Sequence, residues 1–286
     1  MRDFTYETLD GTNYAFMEFN SLNDYYTTMV DNNWVYKHFH ESDDFTRDFT
    51  YGSSFPTKGE HYNALKHGKA SKAMVDGYTK MRSQIENELN INQYYQQGLS
   101  CMRTRRFRDE GDEVDINRYL GGADNYWITH KRDRQAKNIR IALNFGLNCN
   151  NTETKFAELV AVLATLADIL TRLGFATEIL GCNFRRYQGD KKLSYTCSSI
   201  KFKGSSEKLD IQRILSMGLQ GLLRDWEFGI GKQALEYDGS QGYQANMSQE
   251  LQKRLNINYM VEQQEIKTAE KRIKFFNNII TELTNK

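Results

Sequence analysis

The sequence predicts an α/β protein: a three-layer, Rossmannoid domain in the C-terminal half, preceded by a mostly helical, aromatic-rich N-terminal region. Residues 138–145 form an apolar, β-branched run, followed by a polar loop, a long apolar helix and a second apolar run over 175–182. That is the order of a parallel crossover. The helix between the two runs carries Phe156, Leu159, Val160, Val162, Leu163, Leu166, Ile169, Leu170 and Leu173 on nearly every side, as a helix buried against a sheet does. Before residue 100, apolar residues recur instead at helical spacing.

Composition narrows the class. The chain has 286 residues and one proline, where average usage would give roughly 14. Lys+Arg 38 nearly cancels Asp+Glu 37, for a net charge of +1, which argues against a nucleic-acid coat or a polybasic membrane binder. The hydrophobic fraction is low at 39%, but 17 Tyr and 16 Phe supply bulk for a core, so disorder is not expected. The length suggests about two domains. No apolar run reaches the roughly 18 residues of a membrane span; the stretch 159–173 is broken by Asp168 and Arg172. The opening MRDFTYETLDG lacks the apolar region of a secretory signal. Cys101, Cys149, Cys182 and Cys197 lie far apart with no CxxC pair, and read as thiols of a reducing compartment. A soluble, cytoplasmic protein is expected.

Taken in order, Ser21 to Asp24 can start a helix in which Leu22, Tyr25, Tyr26 and Met29 share a face. Residues 45–58 are turn-rich and hold Pro56. A helix is expected over 58–67 with Gly68 as its stop, and another over 70–89 from Met74, Tyr78, Met81, Ile85 and Leu89. The polar tract 90–98 contains Tyr94 and Tyr95. Then Arg103, Arg105, Arg106 and Arg108 precede Asp109, Glu110, Asp112, Glu113 and Asp115. This reads as a solvated segment whose halves pair; a phosphate-binding arginine cluster competes with that reading, but the carboxylates would contend for the same guanidinium groups. Residues 113–120 alternate or open a short helix that Gly121 and Gly122 end. Further on, a polar stretch from Arg185 to Lys192 is expected to join the second strand to a hairpin partner over 193–203. A helix follows over 209–226, then a glycine-rich stretch over 227–249 without assignment. A short strand at 257–261 and an amphipathic helix over 265–284, with Ile273, Phe276, Ile280 and Leu283 on one face, complete the chain. The expected division is 1–100 helical, 101–137 charged connector and 138–286 α/β domain.

In open α/β sheets, ligands sit beyond the carboxyl ends of the strands. Here that position holds Asn144, Gly146, Asn148, Asn150, Asn151 and Thr152, just ahead of a helix. The runs IRIALNFGLN and LADILTRLGFATEILGCNFRRYQGD resemble a von Willebrand factor A domain, of the type in the accessory subunit of aerobic cobaltochelatase. Upstream, RRFRDEGDEVDINRYL and THKRDRQ resemble what precedes that domain in related proteins, including bacteriophage-encoded ones. The resemblance covers roughly half the chain and leaves 1–100 and 227–256 aside. It implies a metal-ion-dependent adhesion site, in which Asp-x-Ser-x-Ser at the end of the first strand holds Mg²⁺. Asn144, Gly146 and Asn148 stand at those three positions. A neutral amide replaces the carboxylate that a hard cation favours, and Gly146 has no side-chain oxygen. A degraded site without a bound cofactor is therefore expected, with Asn148, Thr152 and Asp225 as the contributors left for weak Mg²⁺ binding. For partners, the resemblance implies an AAA+ ATPase beside which such domains work.

Asn144, Asn148, Asn150, Asn151 and Thr152 then read either as turn and helix-cap residues or as a protein-docking loop. The expected function is non-enzymatic: a protein-binding adaptor or scaffold. The alternative is nucleic-acid binding through the basic run Lys131, Arg132, Arg134, Lys137 and Arg140, with His130, Arg185 and Arg186 beside it. His38, His40 and Glu41 near Asp43 and Asp44 are metal-capable, but no further ligand has diagnostic spacing. The paired tyrosines can stack bases but read first as packing residues. Cys149 has no histidine close in sequence, and no GxSxG, Walker A, HExxH or Rossmann fingerprint occurs.

Overall fold

A computed structural model describes residues 4–9, 11–32, 58–89, 104–108, 113–123, 125–131, 137–145, 153–188, 193–218, 226–227, 229–231, 233–234, 243–245 and 247–284. The strand expected first in the α/β half is β6 (Asn138–Asn144) and the long helix is α5 (Glu153–Arg172). Strand β7 (Ala176–Gln188) returns parallel to β6, pairing Asn138 with Ala176 through Asn144 with Cys182. Strand β8 (Leu193–Lys203) then runs antiparallel to β7, with an irregularity between Ile179 and Leu180. On the other side of β6 lies β10 (Tyr259–Val261), again parallel. The chain thus leaves β6 in both directions across the sheet, which makes the carboxyl end of β6 a topological switch point.

The N-terminal region departs from expectation at its start. Residues Thr5–Leu9 and Thr12–Phe19 are strands, β1 and β2, and β2 pairs parallel with β8, Asn13 with Ser194 through Phe19 with Ile200. The main order is β1-β2-β8-β7-β6-β10. One sheet therefore draws on residues from both sides of the boundary expected at 138. The physical reason is that β2 buries both its faces: Met17 and Phe19 go to one core, Tyr14 and Phe16 to the other. After these strands the helical reading holds, with α1 (Leu22–Asp31), α2 (Lys58–Lys66) and α3 (Lys72–Glu88). Ser21 Oγ accepts from Asp24 N at 3.0 Å and Ser71 Oγ from Met74 N at 3.3 Å, each capping its helix. Gly68 ends α2 at φ 60°, a conformation that glycine adopts without strain.

Helices α1, α2, α3 and α5 and the C-terminal α9 (Ala269–Thr284) bury their apolar faces on one side of the sheet. Asp168 and Arg172, which interrupt the apolar run of α5, form a clasp to α3. Arg82 Nε lies 3.2 Å from Asp168 Oδ2, and Arg172 Nε donates to Asp168 Oδ1 at 3.1 Å. The opposite side is thinner. There α7 (Gln249–Arg254) and its flanks put Met247, Leu251 and Leu255 over Leu180, Cys182, Phe184 and Cys197. Phe184 stacks with Tyr195 at 5.3 Å beside Tyr14. Arg254 ties this layer to the N-terminal hairpin: Nη2 lies 2.7 Å from Glu7 Oε1 and Nη1 3.0 Å from Glu18 Oε1, over the Phe16 ring at 4.8 Å. The pairing holds the Glu7 carboxyl below its ordinary range. Arg254→Ala is expected to lower stability by about 1–2 kcal/mol, read from urea melts. An unchanged midpoint would show that the hairpin holds without it.

A second, smaller sheet has the order β3 (Thr104–Arg108), β5 (Trp127–Lys131), β4 (Glu113–Val114), with the one-turn α4 (Ile116–Leu120) after β4. The arginine-rich half of the charged segment is thus a strand. Of the helix expected over 209–226, the described residues show α6 (Ile211–Leu215) and a 3-10 turn at Ser216–Gly218, and 219–225 lie outside the described residues. Trp226, Glu227, Gly229, Ile230, Gly231, Gln233 and Ala234 are helical. The final helix, expected over 265–284, is α8 (Gln263–Ile266) followed by α9 (Ala269–Thr284). No described helix is long and apolar enough to cross a membrane.

Candidate functional site

At the switch point, Asn144 is the last residue of β6 and is buried. Its Nδ2 donates to the Ala245 carbonyl at 3.1 Å. That carbonyl belongs to the chain segment carrying β9 (Tyr243–Gln244), which pairs with Arg185 and Arg186 of β7. Because β6 stops opposite Cys182, β9 takes up the same side of β7 a few residues further on. The crevice at the end of β6 is therefore bordered by the chain's own strand. Asn144 brings a neutral amide, not a carboxylate, to the strand end, which does not fit the preference of Mg²⁺ for charged oxygen. Gly146, Asn148, Asn150, Asn151, Thr152 and Asp225 lie outside the described residues, as do His38, His40, Glu41, Tyr94, Tyr95, Cys101 and Cys149.

The basic run divides between the two sheets. Lys131 ends β5 of the small sheet, Arg132 and Arg134 are outside the described residues, and Lys137 is exposed just before β6. Arg140 is held within the fold: Nε donates to Glu178 Oε2 at 3.0 Å and Nη1 to the Leu255 carbonyl at 2.6 Å. Those bonds turn its guanidinium toward β7 and the end of α7. Arg185 is also buried, whereas Arg186 faces solvent.

The most unusual chemistry lies where sequence reading expected a polar connection. Arg185 and Tyr187 continue β7, and with Asn183 they share the face of the sheet toward α1 and α5. Across the ladder, Asn183 faces Ser198 and Arg185 faces Thr196. Over this row sits Glu227, 3% exposed. Its Oε1 accepts from the Tyr25 hydroxyl at 3.0 Å and its Oε2 from the Ser198 hydroxyl at 2.5 Å. Burial raises its pKa to about 7, against the downward pull of the two hydroxyls and of the Arg185 charge. Next to it, Trp226 is wedged against Tyr25 and Tyr26, with ring centroids 5.4 and 5.8 Å apart. The pair Trp226–Glu227 thus pins α1 to β8. This arrangement can hold a carboxyl that changes charge near neutrality. Cys182 and Cys197, on the opposite face, are buried and unreactive by the same physics: burial lifts Cys182 to about 12 and Cys197 well above its ordinary value.

An exposed apolar strip lies on the small sheet. Val114 is 39% exposed, Ile116 66%, Tyr119 57% and Leu120 76%. The strip is built rather than loose. Asp115 Oδ1 caps α4 by accepting from Arg118 N at 3.0 Å, and the Arg118 guanidinium holds the Asn125 carbonyl at 3.2 Å and Oδ1 at 3.0 Å. Tyr119 packs edge-on against Tyr126 at 4.9 Å. The alternation over 113–120 does not by itself specify a site. The available signal was that Val114, Ile116 and the Tyr119–Leu120 pair gather in a stretch otherwise dense in charge.

Among the described residues, no group of three or more His, Cys, Asp and Glu gathers as a metal site would. No curated protein and no solved structure matches the chain. A model for a domain of unknown function, DUF7192, matches residues 5–283. The matched span starts with β1 and ends within α9, so it takes in both sheets. The chain belongs to the DUF7192 family, a domain of unknown function.

Proposed function

We propose that this protein is a non-enzymatic adaptor that binds another protein through the apolar strip of the small sheet. The observation that carries the reading is the run Val114, Ile116, Tyr119 and Leu120, presented to solvent on a turn fixed by Asp115, Arg118 and Asn125. Large apolar side chains held outward in one patch mark interaction sites, and anchoring them in advance lowers the entropy cost of docking. The architecture is read as von Willebrand A-like. In support, α5 joins parallel β6 and β7, β8 adds an antiparallel hairpin, and β10 returns on the other side of β6. On that reading Asn144 marks a degraded metal position, and the partner class is an AAA+ ATPase.

The test is comparative capture from cells that encode the protein, with the native chain and with Ile116→Asp/Leu120→Asp as baits. Both side chains are exposed, so the double variant should melt within a degree or two of the native protein. A protein retained by the native bait and depleted at least ~10-fold by the double variant, equivalent to about 1.4 kcal/mol, is the expected result. Identical capture by both baits would sink the proposal.

A further inference from the structure

Glu227 ties together elements that lie far apart in the chain. Its carboxyl accepts from the Tyr25 hydroxyl of α1, from the Ser198 hydroxyl of β8 and from the Asn183 amide of β7. These bonds are covered, since Tyr25, Ser198 and Trp226 are fully buried. The Trp226 ring meets Tyr25 and Tyr26, and Tyr25 in turn meets Phe19 of β2 edge-on at 4.8 Å. Further along the same stretch, Gly231 packs against Tyr187 of β7, and the Ala234 carbonyl accepts from the Tyr6 hydroxyl of β1. The stretch that carries Trp226, Glu227, Gly231 and Ala234 therefore lies as a bar across α1, β1, β7 and β8, with an acid at its inner contact.

The groups around that acid decide what its ionisation does. Arg185 of β7, also buried, keeps a positive charge at every pH of interest. The Tyr25 phenol faces the carboxyl from α1. Tyr187 of β7, and Cys182 and Cys197 through the sheet, feel its charge, and burial pushes all three above their ordinary values. None of those three gains charge near neutrality, whereas Glu227 titrates at about 7 because burial outweighs its donors and Arg185. In the closed arrangement the carboxylate is denied the water that would otherwise solvate it. Lifting the bar returns that water. By linkage, an arrangement that exposes Glu227 gains roughly tenfold in population per pH unit from about 4.5 to about 7, and no more above.

We infer that Trp226 and Glu227 form a proton-operated latch on α1. Protonated, Glu227 holds the bar closed over Tyr25 and Ser198; ionised, it lets Trp226 and α1 lift from β8. Strand β6 and helix α5 stay in place, because neither supplies a partner to the carboxyl or to the Trp226 ring among the contacts above.

The experiment is hydrogen exchange on the full chain between pH 5 and 7.5, corrected for the chemical exchange rate, for the native protein and Glu227→Gln. Glu227→Leu, which also cannot ionise, replaces the Gln variant if that one does not fold. In the native protein, protection of the α1 amides and of the Trp226 indole N–H should fall on the order of 50-fold across this range. In the variant it should stay level. At pH 7.5 the α1 amides should also exchange faster than those of β6 and α5, as a local opening requires. Level protection in the native protein would overturn the inference, and so would the same fall in the variant. Exchange of α1 in step with β6 would overturn it too, since the whole fold would then be opening rather than the latch.

Discussion

Replacing Glu227 by Gln is expected to stabilise the protein at pH 8 while leaving its stability near pH 4 almost unchanged. The folded-state pKa of Glu227, about 7, lies above the ordinary value of 4.5, because burial penalises the charge. A raised carboxyl favours the protonated folded state. Its contribution is therefore fully present below about pH 4.5, and it is lost as pH rises through 7. Across that window the native protein gives up on the order of 3 kcal/mol. Gln keeps the carbonyl that receives Tyr25 or Ser198, its amide can donate to the other hydroxyl's oxygen, and it does not titrate. The difference between the two proteins should open between pH 4.5 and 7 and stay constant above. Urea melts of both proteins at several pH values measure it. A native protein that matches or exceeds the Gln variant at pH 8 would mean that Arg185 and the hydroxyls stabilise the charge better than burial disfavours it.

Gly231→Ala should be among the most damaging single-methyl additions in the chain. A Cβ at residue 231 would overlap the Tyr187 hydroxyl oxygen and stand 2.5 Å from its ring carbon Cζ. Tyr187 is buried at the end of β7, and a ring in a packed interior cannot bend away. Either the ring or the helical segment from Trp226 must move, at a cost of roughly 1–3 kcal/mol or more. Tyr187→Phe removes only the nearer of the two contacts. In the Gly231→Ala background it should therefore recover part of the loss, a coupling of about 0.5–3 kcal/mol. Thermal melts of the four proteins complete the cycle, and additive effects would show that the segment shifts freely over β7. Since this segment also carries Glu227, the alanine variant should disturb the pH profile described above.

The elements that periodicity alone can specify were legible in the sequence. Helix α5 is apolar on almost every side and is buried on almost every side. Gly174, just past its end, adopts φ 88°. Local capping signals at Ser21 and Gly68 are also visible without tertiary information. What stayed hidden depends on distant partners. The segment Thr5–Phe19 reads weakly by itself, although Asp10-Gly11 between two apolar-rich runs is a hairpin signal, and Gly11 does take φ 73°. Arg185 looked like a loop residue because nothing nearby in sequence says that Thr196 and Ser198 will line the same face. The candidate site shows the same limit. Glu227 sits in a glycine-rich stretch without periodicity, and its partners Tyr25 and Ser198 come from remote positions. The strip on α4 was hidden for a different reason: apolar residues in sequence do not announce whether they point inward.

The parallel pairing of β2 with β8 also orders events during synthesis. Tyr14, Ala15, Phe16 and Met17 leave the ribosome early, but the strand that shelters them spans Ser194 to Ile200. At translation rates of about 5–20 residues per second, the hairpin of β1 and β2 waits on the order of ten seconds or longer for its neighbour. A two-stranded ribbon is marginal in water by itself, and this one exposes an aromatic-rich strand during the wait. Meanwhile β6, α5, β7 and β8 follow one another closely and can assemble as a unit. The N-terminal hairpin is therefore the part of the main sheet that waits longest for its neighbour, and the part of the nascent chain most in need of a chaperone.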